Sequence, residues 1–249
     1  MMRRPMLAPL DLSLVDLVLC AAAAVGGAVV QGTIGFGYAL VVVPTLLLVA
    51  PTAIPTAPLV VALPMVVALA VTDREHLDRA GFARLTAGRI PGTAVGAWIL
   101  TMVGARVVGG AAGALLLLAV AASVLRGVSA TSHRIEVIAG FFSGIAGTVG
   151  AVGGPYLGLA YADRPGPVLR ATVSAAFAVG VVLSLAAIAL AGALEGPAAK
   201  LGLGLIPATF AGLAIGRRLA GRLDGRWLRS AVNAFAGAAG VFALIRALA

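Results

Sequence analysis

Ten apolar segments follow one another along this chain, and no other feature restricts its fold so strongly. They lie at about residues 12–31, 36–50, 53–72, 85–103, 107–126, 135–149, 151–162, 168–192, 199–216 and 228–248. A helix needs roughly 20 apolar residues to cross a hydrocarbon core of about 30 Å. The runs are continuous and lack the period-two alternation of a membrane β-barrel. We therefore predict an all-α integral membrane protein.

The composition agrees with this prediction. The chain is 61% hydrophobic and 11% charged, whereas about a quarter of the residues in a soluble domain are charged. Its net charge of +9 does not indicate nucleic-acid binding, because no basic cluster is interleaved with aromatic residues. Arginines beside apolar segments set orientation in the bilayer instead. We predict a multi-pass protein of the cell (plasma or inner) membrane, with lipid as a partner and no nucleic acid.

The N-terminal segment is similar to a secretory signal, since Arg3 and Arg4 precede an apolar run. Asp11 and Asp16 interrupt that run, so we interpret it as an uncleaved first membrane helix. The single cysteine, Cys20, cannot form an intrachain disulfide, and no Cys/His spacing suits a metal. We predict no metal site and no cofactor.

Two glycine-rich stretches, residues 29–44 and 140–156, interrupt the apolar pattern. They share the sequence Gly-Thr-apolar-Gly, at Gly32-Thr33-Ile34-Gly35 and at Gly147-Thr148-Val149-Gly150. The first stretch closes with Pro44, and the apolar segment that follows each motif is too short for a full helical span. We predict a broken or re-entrant short helix after each motif, with its irregular backbone enclosed by protein or by a cavity.

The spacing of these motifs indicates an internal duplication. Gly32 matches Gly147 at an offset of 115, and Thr56 matches Thr172 at 116. The pair Ile90-Pro91 matches Ile206-Pro207, also at 116. We predict two repeats of about five helical segments each, residues 1–127 and 128–249, within a single transmembrane domain.

The arginine bias predicts how the repeats are oriented. In the first repeat, the loop after the third segment is rich in arginine and the loop after the fourth carries one. The second repeat has the reverse bias. Because Lys and Arg mark the cytoplasmic side, we predict inverted-topology repeats, each with an odd number of crossings, and an external N-terminus. The arginines are Arg74, Arg79, Arg84, Arg89 and Arg106, and then Arg217, Arg218, Arg222, Arg226 and Arg229.

The glycine motifs are the candidate substrate site. A helix broken at membrane depth presents free N–H groups and a partial positive charge, which together favour an anion. The alternative is that the glycines only allow close helix packing, and that Thr56 and Thr172 only cap helices. The candidate substrate-binding residues are Gln31, Gly32, Thr33, Gly35, Gly37, Tyr38, Thr56, Ser143, Gly144, Gly147, Thr148, Gly150, Gly153, Gly154, Tyr156 and Thr172.

Few ionisable side chains lie within the apolar segments. Asp16 is interpreted as interfacial, and Asn233 as a helix–helix hydrogen-bonding group. Arg89 and Arg170 each begin an apolar run; either could attract an anion, but snorkelling to the lipid headgroups is the commoner role. No paired acids, metal-binding spacing or nucleophile–base arrangement is present, so we predict no enzyme activity.

The order and duplication of these motifs resemble the TauE/SafE sulfite exporter family, also called the toluene sulfonate uptake permease family. Ala208 stands where the first repeat has Gly92, a mild departure. The resemblance implies transport of sulfur-containing anions such as sulfite, sulfonates or related organic anions. The residues that carry it are Gly32-Thr33-Ile34-Gly35-Phe36-Gly37 with Pro44, Phe142-Ser143-Gly144-Ile145-Ala146-Gly147 with Gly153-Gly154-Pro155, Ile90-Pro91-Gly92 with Gly96, and Ile206-Pro207 with Gly212.

We therefore predict a secondary transporter, or permease, for a small sulfur-containing or organic anion. The anion would bind near the midplane between the repeats, and access would alternate as one repeat rocks against the other. A passive anion channel is the alternative function, and a membrane-embedded enzyme is a weaker one. A homodimer is left open as a partner arrangement.

Overall fold

The computed structural model describes residues 10, 12–102, 105–124, 132–161 and 163–220, and those between 233 and 245 except 235, 239 and 243. All regular secondary structure in these residues is helical. Further helical residues lie between 233 and 245. The helices are α1 (Leu14–Ile34), α2 (Tyr38–Val49), α3 (Thr56–Thr72), α4 (Arg79–Met102), α5 (Ala105–Val124), α6 (His133–Gly150), α7 (Gly154–Ala160), α8 (Gly166–Leu190) and α9 (Gly196–Leu219).

The outer surface suits a lipid bilayer. Three of the described helices, α1, α8 and α9, are long and apolar enough to cross a membrane. Large apolar side chains face outward, and Trp98, Leu190 and Ile245 are each more than half exposed. Many exposed large apolar side chains are expected where a folded protein contacts lipid or another protein. The predicted all-helical fold is confirmed.

Both glycine motifs lie at helix ends, but most of each motif is itself helical. Helix α1 continues to Ile34, and the chain turns at Gly35 and Gly37, which have φ values of 100° and 118°. Helix α6 continues to Gly150 and turns at Ala151, with a φ of 57°. The short helices α2 and α7 follow. Pro44, the last residue of the first glycine-rich stretch, lies inside α2.

Two helix pairs pack most extensively, α4 with α6 and α1 with α9. Glycines allow the backbones to approach closely in both pairs, as small residues do in membrane bundles. A Cβ atom at Gly92 would meet the backbone of Phe141, and one at Gly216 would lie 2.5 Å from the carbonyl oxygen of Val29. Helices α3 and α8 pack against each other, α3 also packs on α9, and α8 also packs on α4.

Ion pairs gather at one end of the bundle, which we call the charged end. Arg217 Nη2 lies 3.2 Å from Asp73 Oδ1, and Arg170 Nε lies 3.6 Å from Asp73 Oδ2. These contacts join the end of α9 and the start of α8 to the turn after α3. Nearby, Arg84 on α4 pairs with Glu136 on α6.

Asp78, also at the charged end, caps the start of α4. Its carboxylate accepts a hydrogen bond from the Gly81 N–H at 3.0 Å and another from the Tyr161 hydroxyl at 2.8 Å. The Gly81 N–H is the main reason that the pKa of Asp78 lies below its usual value. The Asp78 N–H donates to Thr172 Oγ1 at 3.1 Å, and this hydrogen bond connects α8 to the start of α4.

Candidate functional site

A small cavity, with room for about one water molecule, lies between α2, α3, α7 and α8. Both helix breaks contribute to its wall, together with apolar residues of α3 and α8. The lining residues are Gln31, Gly37, Tyr38, Ala39, Pro58, Leu59, Ala62, Ala151, Gly154, Pro155, Val173 and Phe177. Residues of both glycine-rich stretches border this space, and their role as one substrate site stays a prediction.

Gln31 fixes the geometry of the first break. Its Nε2 donates to the Gly35 carbonyl at 3.0 Å, and its Oε1 accepts from the Tyr38 N–H at 3.2 Å. The amide therefore caps the end of α1 and the start of α2 at once. The Tyr38 hydroxyl lies 3.2 Å from Thr209 Oγ1, which connects α2 to α9. Both side chains are buried.

Ser143 fixes the second break. Its hydroxyl donates to the Gly153 carbonyl at 2.7 Å and accepts from Arg89 Nη1 at 2.9 Å. The hydroxyl thus uses its one proton and one of its two acceptor lone pairs within the protein. The second break is therefore held by a side chain of α6 and, through it, by a charged side chain of α4.

Arg89 is completely buried, with 0% of its surface exposed. Its guanidinium carbon lies 4.7 Å from the centre of the Phe177 ring, and Phe177 lines the cavity. A Cβ atom at Gly147 would lie 2.9 Å from Arg89 Nη2, and one at Gly180 would overlap Nε. These glycines of α6 and α8 thus leave the space that the guanidinium occupies.

The snorkelling interpretation of Arg89 is therefore wrong. Helix α4 begins at Arg79, about three turns before Arg89, so Arg89 lies within the helix and not at its edge. Arg89 Nε and Nη2 have no hydrogen-bond partner among the described residues. None of the ion pairs between described residues includes Arg89. Arg170, in contrast, is part-exposed and pairs with Asp73.

Several predicted site residues hold helices together. Thr33 Oγ1 donates to the Val29 carbonyl at 2.7 Å and approaches the Gly216 carbonyl at 3.2 Å. Thr148 Oγ1 lies 2.8 Å from Ser184 Oγ on α8. A Cβ atom at Gly32 would come within 3.2 Å of the α9 backbone, and one at Gly144 would crowd the α4 backbone. These contacts are those of close helix packing.

The remaining predicted residues lie at the edge of the site. Gly150 packs against Ala112 of α5, and the Tyr156 hydroxyl donates to the Leu115 carbonyl at 3.0 Å. Thr56 is the first residue of α3 and is buried. Thr172 lies well inside α8, so it does not cap that helix, although it accepts from the Asp78 N–H. A binding role for these residues stays a prediction.

Sequence reasoning noted that Arg89 could attract an anion but left it out of the candidate site, and it missed Phe177. The burial of Arg89 could have been inferred from its position between Gly88 and Gly92, with no acidic residue close to it in the sequence. Phe177 carried no local signal, because its position between the guanidinium and the cavity depends on how α8 crosses α4.

The comparisons with known proteins agree with the resemblance. The family model described as Sulfite exporter TauE/SafE matches residues 19–243. A search of curated proteins and a search of solved structures each returned no match. The matched region covers both glycine motifs and nearly all of the described helices. The chain therefore belongs to the TauE/SafE sulfite exporter family, whose members are membrane transporters of sulfur-containing anions and not enzymes.

Proposed function

We propose that this chain is a secondary transporter of the cell membrane that carries a small sulfur-containing anion, such as sulfite or an organosulfonate, by alternating access. The observation that carries the proposal is that both glycine-motif breaks line one cavity. In transporters built from repeats, broken helices of the two halves form the substrate site. In this conformation the cavity has room for about one water molecule, so the proposal requires the cavity to widen when an anion enters.

The chemistry of the cavity wall favours an anion. Helix α2 begins at Tyr38, directly after Gly37, and both residues border the cavity. The start of a helix carries about half a positive charge. None of the lining residues is acidic. The aliphatic lining from α3 and α8 suits the organic part of a sulfonate as well as a bare oxyanion.

Inverted repeats are part of this proposal, and the helix contacts support them. The end of α9 meets the turn that precedes α4 through Arg217 and Asp73, so α4 and α9 run in opposite directions. These two helices carry the matching Ile-Pro pairs at an offset of 116. Helix α1 packs on α9 and α6 packs on α4, so the first helix of each repeat contacts the fourth helix of the other.

The arginines of the charged end lead us to place that end on the cytoplasmic side. The cavity would then open alternately toward this end and toward the other end as the repeats rock. A passive channel would need no such alternation. Saturable counterflow in proteoliposomes distinguishes the two, because a carrier shows it and a channel does not.

The test uses the purified full chain with sulfite, sulfate, thiosulfate, methanesulfonate and acetate. We expect at least one sulfur oxyanion or sulfonate to raise the melting temperature and to show saturable counterflow. Gly154→Ala adds a methyl group to the cavity wall, where its Cβ would lie 3.9 Å from Phe177. That variant should fold and bind the anion at least several-fold more weakly.

Gly26→Ala is the matched control. Its Cβ would also lie 3.9 Å from the nearest side chain, that of Val41, but Gly26 does not line the cavity. We expect wild-type anion binding in this variant. The proposal is wrong if no anion stabilises the wild type, or if Gly154→Ala and Gly26→Ala bind the anion equally well.

A further inference from the structure

Two charged side chains are buried in the described part of the chain, Arg89 and Glu136. Glu136 is paired with Arg84. Arg89 has no carboxylate within ion-pair distance among the described residues. A buried charge without a partner is strongly unfavourable. A buried arginine keeps its charge more readily than a buried lysine does. The guanidinium would therefore be stabilised by an anion, and the described residues do not supply one.

We propose that Arg89 is the residue that binds the transported anion, and that Phe177 separates it from the cavity in this conformation. This inference rests on the proposed function. It identifies the positive charge that would bind the substrate. Neither the cavity wall nor the glycine motifs provide a charged side chain for this purpose. Because the Phe177 ring contacts both the guanidinium and the cavity, a rotation of this one side chain would join the two.

The unused part of the guanidinium has the geometry for an oxyanion. Nη1 is taken by Ser143, and the two nitrogens without partners are Nε and Nη2. In a planar guanidinium, Nε–H and Nη2–H form one edge and point in the same direction. That edge binds two oxygens of a carboxylate or phosphate in a bidentate manner, and sulfite and sulfonate present a similar pair of oxygens.

A second polar group without a partner among the described residues lies one turn further along α4. Thr93 is one turn beyond Arg89, so both side chains lie on the same face of the helix. It is buried, and its hydroxyl has no hydrogen-bond partner in the described part of the chain. In the proposed complex this hydroxyl would donate to a third oxygen of the anion.

The site would be asymmetric although the repeats are related. The position that matches Arg89 at an offset of 116 is Leu205 on α9. Thr209, which matches Thr93, is satisfied by Tyr38. The charge and the free hydroxyl therefore occur only on the α4 side of this pair of helices, and we infer one anion per chain.

The test measures anion binding and thermal stability of the full chain with sulfite and with methanesulfonate. Arg89→Lys keeps the charge but removes the bidentate edge, so we expect affinity to fall roughly ten- to a hundredfold. Arg89→Met should lose the anion-dependent rise in melting temperature. Without anion it should melt at or above the wild-type temperature, since it removes an unpaired buried charge.

Arg218→Met is the control for the loss of one positive charge, because Arg218 is exposed at the end of α9. It should bind as the wild type does. If Arg89→Met fails to fold, the affinity of Arg89→Lys decides. Unchanged anion affinity in Arg89→Lys would overturn the inference and identify Arg89 as a purely structural cation. Absence of binding by the wild type would instead refute the proposed function.

Discussion

Arg89 Nη1 lies 2.9 Å from Ser143 Oγ, and the same hydroxyl donates to the Gly153 carbonyl at 2.7 Å. One serine therefore connects a buried cation on α4 to the helix break between α6 and α7. Gly153 in turn precedes Gly154, which lines the cavity. Two hydrogen bonds and one peptide bond thus couple the position of the guanidinium to the shape of the cavity wall.

Ser143→Ala should destabilise the protein by about 1–3 kcal/mol, because it leaves the Gly153 carbonyl and Arg89 Nη1 without their buried partner. Ser174→Ala is the matched control. Ser174 is also buried, but its hydroxyl has no hydrogen-bond partner within the residues that the structure describes, so its removal should be nearly neutral. Thermal melting in detergent measures both. Equal melting temperatures for the two variants would contradict the role given to Ser143.

The threonines at matched positions of the two repeats should respond differently to the same substitution. Thr209→Val leaves the buried Tyr38 hydroxyl without its partner and should cost about 1–3 kcal/mol. Thr93→Val removes a hydroxyl that has no partner and should be neutral or stabilising without anion. Melting curves with and without sulfite test this prediction. Thr93→Val should also reduce the shift caused by sulfite, and an equal loss of stability in both variants would contradict the asymmetry.

The helical segments could be predicted well from the sequence, because hydropathy reports directly on membrane burial. The third apolar segment, predicted at 53–72, is α3 at Thr56–Thr72. The fourth was predicted to begin at 85, but α4 begins at Arg79. Arginines lower the local hydropathy without interrupting the helix, since arginine has a good helix propensity. That shift of the boundary is why Arg89 was placed at an edge.

The site itself could be predicted only in part. Glycine at a positive φ is a local property, so the turn at Gly35 and Gly37 followed from the sequence. The roles of Thr33 and Thr148 depend on which helix each one meets, and both meet a helix far away in the chain. The space around Arg89 depends in the same way on Gly180 of α8. Such contacts between distant segments leave no local pattern to read.

The ion pairs of the charged end should act as a latch on one side of the cavity. Asp73 holds Arg170 and Arg217 together, and all three side chains are partly exposed. Pairs of this kind contribute at most about 1 kcal/mol each, so Asp73→Asn should lower stability only slightly. It should nevertheless favour conformations open at the charged end, because a small free energy shifts a balanced equilibrium.

Labelling of a cavity cysteine measures that opening. In a Cys20→Ser background, Ala62→Cys places a thiol on the cavity wall. We expect a membrane-impermeant thiol reagent, added at the charged end, to label it faster when Asp73→Asn is present. Glu75→Gln is the control, since Glu75 is exposed near the same turn and takes part in none of the ion pairs between described residues. Equal labelling rates would contradict the latch.

The inverted orientation of the repeats makes a prediction about sidedness. His76 follows α3, and Arg218 lies in the last turn of α9. The contact between Asp73 and Arg217 brings these two regions to the same end of the bundle. Leu194 lies between α8 and α9, at the other end of α9. In a Cys20→Ser background, His76→Cys and Arg218→Cys should both be labelled from the cytoplasmic side, and Leu194→Cys from the outside. Because all three positions are exposed, accessibility does not limit the reaction. Labelling of His76→Cys and Arg218→Cys from opposite sides would refute the inverted repeats, whereas labelling of all three from the reverse sides would refute only the cytoplasmic assignment of the charged end.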